Sequence, residues 1–389
     1  MHVVVVGGGF GGVKTALELS KRQVGKITLI SDRSYFLHHA TLYATATGRS
    51  VEESVIPLNV IFAKHPNVEI IEDTIASFDP RRKLISGKRK DYHYDKLVLS
   101  MGSVTTFLGI KGLKAHAYGI QTLDEVFSFH DHVQDELIRQ RLDKEYFIVG
   151  GGLTGVEMAS ALQSYLESLK VLYKLKGAQP KVVLVEAQSR ILPRLSKTAS
   201  AKVHARLKKQ GIKVLLNRTV TALTDDSITI EGRLYATTTV LWASGIANNP
   251  FYKENKGYFD LTKDGRVRVN PYLEAFDDVY VIGDNNSVHK QGMAIPAFRQ
   301  ATHVAKNITR LATKRPQTKY RVRSVIVGVP VGDSWGYVEK YGLYLAGKAG
   351  SIVRRWMDLY GYCQILPLHV ALPIWRSHSL SEIHDVERK

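Results

Sequence analysis

Two short runs of glycine carry the first chemical information in this sequence: Gly7-Gly8-Gly9-Phe10-Gly11-Gly12 and Gly150-Gly151-Gly152-Leu153-Thr154-Gly155. Each follows β-branched or aromatic residues, Val3 to Val6 and Phe147 to Val149, and each opens a stretch with helical patterning. In the first, Gly7 makes a tight turn, Gly9 lets backbone N–H groups approach a pyrophosphate, and Gly12 lets the helix close on the strand. The helix N-terminus then faces the negative charge. Gly150, Gly152 and Gly155 repeat the same logic. A single run is weak evidence, because glycine-rich turns are common. Two of them, each between a strand and a helix, imply two dinucleotides held by one polypeptide.

The residues that should complete these sites follow from the chemistry of the ligand. A dinucleotide fold places an acid on the adenosine ribose about 20 residues beyond the glycines. For the first unit that acid is Asp32, with Ser31 directly after the strand. For the second it is Glu186, which ends the next strand. The Glu186 charge would repel a 2′-phosphate and so favours NADH over NADPH, while nearby Arg190 pulls against that preference. Glu157 falls in the expected first turn of the second helix, where the helix dipole favours a carboxylate. It is either a catalytic neighbour of the nicotinamide or a surface N-terminal acid. Three strand-end turns add detail: Leu99-Ser100-Met101-Gly102, Trp242-Ala243-Ser244-Gly245 and Val281-Ile282-Gly283-Asp284. Small residues there let backbone approach a cofactor, and Asp284 is either a hydroxyl acceptor or a turn cap.

These groups need a scaffold of alternating strands and helices, and the pattern supplies one. Expected strands are Val3–Val6, Ile27–Ile30, Val68–Ile71 and Leu97–Ser100, then Tyr146–Val149, Val182–Val185, Val240–Ala243 and Val279–Ile282. Expected helices run near Phe10–Lys21, Leu123–Arg141, Leu153–Lys174, Thr198–Gln210 and Pro296–Thr313. Repeated βαβ units predict an α/β fold of two doubly wound Rossmann-like domains, the second inserted in the first. The expected division is 1–112 and 246–315 for the first domain, 113–245 for the second, and 316–389 for a C-terminal segment.

Composition narrows the chemistry. Lys and Arg number 54 against 36 Asp and Glu, a formal charge of +18, which favours an anionic partner. No nucleic-acid motif with interleaved aromatics accompanies the basic clusters, so nucleic acid is not expected. The single cysteine, Cys363, excludes a disulfide framework, a cysteine-ligated metal and a redox-active cysteine pair within the chain. It reads as a small buried apolar residue. Adjacent His38 and His39 point different ways and lack a third ligand, which favours a loop role over a metal site. His2–Val6 already reads as the first strand, so no targeting segment is expected, and the chain reads as cytoplasmic or bound to the cytoplasmic side of a membrane.

Taken together the motifs resemble the two-dinucleotide flavoprotein reductases, and more closely the type II NADH:quinone oxidoreductases. The resemblance runs in order through Val5–Gly12, Thr28–Gly48, Tyr94–Leu113, Ile148–Leu162, Leu184–Pro193, Val240–Pro250 and Val279–Asp284. It implies FAD on the first domain and NADH on the second, with a quinone as acceptor. Gly9, Phe10, Gly11 and Ser31–Arg33 would hold the adenine-nucleotide half of FAD, and the backbone near Ile75 would meet the adenine. Ser100, Met101 and Gly102 would lie along the flavin, Gly283 and Asp284 at its ribityl chain, and Ile295 beside its ring. Leu153, Thr154, Glu186, Ser244 and Gly245 would line NADH, with Glu157 by the nicotinamide. The sequence departs from the family where an A-Q-x-A-x-Q-Q segment is usual: it reads Ala294-Ile295-Pro296-Ala297-Phe298-Arg299-Gln300. His38-His39-Ala40 also replaces an apolar and proline-containing loop.

The C-terminal segment holds a charge-free run, Leu359 to Trp375, broken by Pro367 and Pro373 and so a poor membrane span. Helical spacing groups Ile352, Val353, Trp356, Leu359 and Tyr360 on one face, with Arg354, Arg355 and Asp358 elsewhere. That face could pack on the core, form a homodimer, or lie on an anionic membrane with Trp356 and Trp375 at headgroup depth and both arginines on lipid. The sequence alone leaves three readings: a quinone reductase on a membrane, a soluble reductase feeding an acidic carrier such as a ferredoxin, and a flavin-binding interaction protein.

Overall fold

The computed structural model describes residues 1–139, 144–288 and 292–379. Its first unit begins with strand β1 (His2–Val6), helix α1 (Phe10–Lys21) and strand β2 (Lys26–Ser31). Helix α2 (Leu42–Thr45), strand β3 (Val68–Glu72) and strand β4 (Lys96–Leu99) follow. The valines of β1 are almost fully buried, as a central parallel strand covered on both faces requires. Between β3 and β4 a three-stranded antiparallel sheet (75–93) is inserted.

Helix α3 (Leu123–Ile138) leads to the second unit: β5 (Glu145–Val149), α4 (Leu153–Leu172), β6 (Lys181–Glu186), α5 (Lys197–Lys209), β7 (Lys213–Leu216) and β8 (Val240–Trp242). Arg141, the expected end of α3, lies outside the described residues. Helix α6 (Pro250–Glu254) and strands β9 (Glu274–Phe276) and β10 (Val279–Val281) return the chain to the first sheet, and α7 (Ala294–Ala312) packs against α1. The first sheet has the order β9-β10-β4-β1-β2-β3 and the second β7-β6-β5-β8. All pairings are parallel except β9 with β10. Because β10 joins a sheet begun by β1, the second unit interrupts the first. In both sheets the strand order reverses beside the strand that precedes the glycines, and open α/β folds bind ligands at such a switch point.

The C-terminal segment has an architecture that the sequence reading missed. An antiparallel sheet, β11 (Val327–Pro330), β12 (Gly336–Lys340) and β13 (Leu343–Gly347), precedes helices α8 (Lys348–Cys363) and α9 (Leu368–Ser377). The charge-free run is therefore split by the turn at Gln364–Pro367, and no described helix is long and apolar enough to cross a membrane. The α8 face assignment is also corrected. Arg354 and Asp358 point inward, 6% and 5% exposed, whereas Ile352, Trp356 and Tyr360 point outward at 52%, 59% and 56%. Cys363 continues the outward stripe and is exposed, not buried as its residue type suggested.

Candidate functional site

Both glycine turns are built in the same way. A side chain at Gly7 would stand 2.1 Å from the Ser100 carbonyl oxygen, and one at Gly150 would meet Ala243 and Ser244 at 3.0 Å. The small strand-end residues Ser100 and Ala243–Ser244 are thus the walls against which each turn is pressed. A Cβ at Gly12 would lie 1.9 Å from the Gly7 oxygen, and one at Gly155 would lie 1.8 Å from the Gly150 oxygen. No side chain fits between helix and strand at either place.

The turns also leave their helix ends open. Helices α3, α5 and α6 are capped by the side chains of Thr122, Ser196 and Asn249. By contrast, α1 and α4 start at Gly9 and Gly152 with no side-chain cap, and nothing lies within 4 Å of a side chain placed there. First-turn N–H groups without a partner, facing open space at a dipole's positive end, fit a phosphate ester. Both sites therefore suit a pyrophosphate-containing cofactor.

Register separates the two turns. Val6 pairs with Ile30 and Val149 with Val185, so the residues one step further on, Ser31 and Glu186, occupy equivalent places. Glu186 is buried, and its carboxylate accepts from Gly151 N at 2.6 Å and Gln188 N at 2.7 Å. That position is next to the glycine turn, where an adenosine ribose would lie. Ser31 is the last residue of β2 and holds the matching place beside Gly8. Asp32, chosen from its spacing, lies one residue too far: its side chain is 58% exposed and pairs with Arg33. Arg190, which weighed toward a 2′-phosphate, spends its guanidinium on the carbonyls of Leu192, Pro193, Leu195 and Ser196.

Glu157 needs a different explanation from the one its sequence position suggested. It is the fifth residue of α4, in the second turn, beyond the reach of the helix-end dipole. It faces a cavity of about 150 Å³ that is also lined by Tyr43, Arg354, Asp358 and His378. Burial pushes its carboxyl up to about 8, with Arg354 opposing and Asp358 adding to the rise. The inward Arg354 and Asp358 are paired with each other, and sequence periodicity alone had placed them away from the site. Behind them, fully buried Glu53 meets His378 Nδ1 at 2.8 Å.

Around the first turn, Gly102 exchanges two hydrogen bonds with Asn285: its N donates at 2.9 Å and its carbonyl accepts at 2.6 Å. Asn285, unnoticed in the sequence, follows Asp284 in a single 3₁₀ turn after β10. The half-buried Asp284 accepts from Gly292 N at 2.7 Å. Met101 sits on the same turn and accepts from Asn249, and Ile75 is buried at the start of the inserted sheet. Gln300 is turned inward: its Oε1 accepts from Gly283 N and Asn286 Nδ2. Arg299 bonds the carbonyls of Arg323 and Ser324, and Ile295 packs in the core of the first unit. His38 bonds Thr41 and lies against the Tyr362 ring, while His39 contacts the carbonyls of Leu37 and Gln121, so both serve the loop.

Residues 1–306 match the model of the pyridine nucleotide-disulphide oxidoreductases. The chain belongs to that family. This oxidoreductase is accordingly an enzyme that works with FAD and a pyridine nucleotide, the cofactor pair expected from its two turns. It is 25% identical over 382 residues to the type II NADH:quinone oxidoreductase of Staphylococcus saprophyticus, covering 92% of this chain and 94% of that one. The protein of the same name from Staphylococcus aureus is 25% identical over 383 residues, with the same coverage. Among solved structures, NDH2 of Plasmodium falciparum in complex with NADH superposes with a TM-score of 0.83 at 16% identity, over 97% of both chains. The sulfide:quinone oxidoreductase of Aquifex aeolicus gives 0.78 at 20% identity, over 99% of this chain and 93% of that one. The oxidoreductase differs from the disulphide-reducing members implied by the family's name in having one cysteine, at the far end of α8.

Proposed function

We propose that this oxidoreductase is a type II NADH:quinone oxidoreductase working at a membrane surface. The observation that carries the reading is the pair of uncapped glycine turns, each at the switch point of its own parallel sheet. FAD bound at the first turn would supply hydride acceptance from NADH and two-electron delivery to the quinone. Everything else falls to the chain. Gly9 to Gly12 and Gly152 to Gly155 orient the two pyrophosphates. Glu186 accepts from the ribose, and with Arg190 committed to its own loop no cation is left at that strand end for a 2′-phosphate, which favours NADH. The reaction NADH + H⁺ + quinone → NAD⁺ + hydroquinone consumes one proton. Glu157, with its carboxyl pushed up to about 8, holds a proton on its side-chain oxygen at neutral pH and leaves no negative charge beside the nicotinamide.

The outward face of α8 supports the membrane reading. Ile352, Trp356 and Tyr360 with Leu368 of α9 expose a continuous apolar strip, and exposed Lys348 and Arg376 flank it. Those two take the lipid-facing role expected of Arg354 and Arg355. Arg354 is buried with Asp358, and Arg355 bonds the Trp375 carbonyl and faces Glu53. The test is anaerobic stopped-flow reduction by NADH, followed by an acceptor panel. A yellow protein bleached by NADH and rapidly reoxidised by a short-chain quinone supports the proposal. Rapid turnover with ferredoxin and none with quinones would replace it by the soluble-carrier reading.

A further inference from the structure

A second cavity, about 490 Å³ in volume, lies where three parts of the chain meet. The loop after β6 contributes Arg194, the first unit contributes Arg266 and Val288, and the C-terminal sheet region contributes Val325, Val327 and Lys340. The volume falls in the range of small-molecule sites, with an apolar floor and a few polar groups.

Its placement relates it to both dinucleotide turns. The loop that carries Arg194 is tied to the second glycine turn, where Leu192 N donates to the Gly151 carbonyl at 2.7 Å. On the other side Arg194 Nη1 lies 3.4 Å from the Cβ position of Gly292, and Gly292 N is bonded to Asp284 beside the first turn. The cavity thus occupies the gap between the two turns, across which a nicotinamide ring on the second must reach a flavin on the first. Its charges are unbalanced. The acid on its wall, Glu339, already accepts from Ser196 N, Ser196 Oγ and Tyr337 Oη. Arg194 makes no hydrogen bond or ion pair among the described residues. Lys340 Nζ rests over the Tyr341 ring at 5.4 Å. Arg266 pairs with Asp264, whose side chain is 60% exposed, and such surface pairs hold weakly. Both arginines pull the Asp284 carboxyl downward against its burial, so their field crosses the gap.

We propose that Arg194, Arg266 and Lys340 form a cationic gate that binds the phosphate on the nicotinamide side of NADH and guides that half into the gap between the domains. The proposal rests on the NADH reading above and adds to it residues that no glycine motif contains. The three come from three separate segments, so the gate exists only when the domains and the C-terminal sheet are assembled.

The experiment compares three hydride donors with the same dihydronicotinamide ring on the FAD-loaded enzyme. They are NADH, reduced nicotinamide mononucleotide, which keeps the phosphate, and dihydronicotinamide riboside, which lacks it. The variants are Arg194→Ala and Arg194→Ala/Lys340→Ala. Removing charge-assisted contacts from a part-exposed site is expected to raise KM for NADH and the mononucleotide about fivefold to tenfold, leaving riboside kinetics within about twofold. Calorimetric NAD⁺ affinity should fall by a similar factor, and its dependence on ionic strength should flatten. Equal losses with all three donors, or no loss with any, would overturn the gate, as would sulfate binding to the wild type without competing with NAD⁺. If NADH fails to reduce the wild-type flavin at all, the donor reading itself falls. If the wild type is reduced and the variants match it, only the gate falls.

Discussion

Around Gly7 the residue that closes the neighbouring strand is Ser31, and around Gly150 it is the buried carboxylate of Glu186. The two turns share their backbone geometry: positive φ at the first glycine, a collision distance below 2 Å between last and first glycine, and an uncapped helix. The difference continues along the helices. The fifth residue of α1 is Lys14, whose Nζ donates to the Gln364 carbonyl and pairs with Glu18. The fifth residue of α4 is Glu157, which faces Arg354 across a cavity. Shared backbone with different side chains teaches that phosphate binding is a property of the turn, whereas ligand choice and docking of the C-terminal segment are set by the strand end and the second helical turn.

The largest expected effects break the shared part. Gly12→Val and Gly155→Val each drive a side chain into a backbone carbonyl that cannot move aside. Gly12→Val should give colourless protein on purification. Gly155→Val should give yellow protein whose kcat/KM for NADH falls by about 100-fold or more, a loss of about 2.8 kcal/mol. Absorbance at purification and anaerobic reduction distinguish the two. If both variants lose the flavin, or both keep it, the assignment of one turn to each cofactor is wrong.

Next in size are changes at the strand ends. Glu186→Ala removes a carboxylate that holds two backbone N–H groups as well as the proposed ribose contact, and kcat/KM for NADH should drop about 10- to 100-fold. NADPH should not improve in Glu186→Ser, because Arg190 remains committed to four carbonyls. Ser31→Ala, at the equivalent place, should change FAD retention by less than about threefold, since one neutral hydroxyl contributes about 1 kcal/mol or less. A severe loss of FAD in Ser31→Ala would mean that the two strand ends do equivalent work after all.

This contrast also explains what could be read from residues alone. The glycine runs and the buried valines of β1 and β5 state their surroundings directly, because a backbone that must approach a carbonyl within 2 Å admits one residue type. Strands, helices and the inserted order of the two units were legible for that reason. Spacing was a poorer guide to Asp32, because counting residues does not reveal which one ends the strand; register does. The inward turn of Arg354 and Asp358 was hidden because hydrophobic periodicity assigns charges to solvent. Here the pair neutralises itself inside, and the aromatics on the other face are left exposed. The gap between the turns, with Arg194 and Lys340 far apart in sequence, appears only on folding.

The second helical turns supply a pH-dependent comparison. With the Glu157 carboxyl pushed up to about 8 from its ordinary 4.5, the folded state keeps a proton that the unfolded chain releases across that window. Raising pH through it therefore favours unfolding, by at most roughly 1.4 kcal/mol per unit. Glu157→Gln should melt close to the wild type at pH 5 and well above it at pH 9. Coincident melting curves at both values would show that Arg354 keeps the carboxylate ionised throughout.

Lys14→Met is the counterpart of that change on α1, and the smallest of the set. It removes the bond to the Gln364 carbonyl and leaves the largely buried Glu18 with only Arg22 as a pairing partner. The expected cost at pH 7 is about 1–2 kcal/mol, the usual range for a charge-assisted hydrogen bond, with the apolar stem retained. Thermal melts would register it as a fall of a few degrees. The two substitutions thus carry opposite signs above neutral pH: neutralising the acid on α4 stabilises, and neutralising the base on α1 destabilises. Equal signs would mean that the C-terminal segment does not discriminate between the two helices. In that case the side-chain difference between the two turns would be incidental to how the domains are held together.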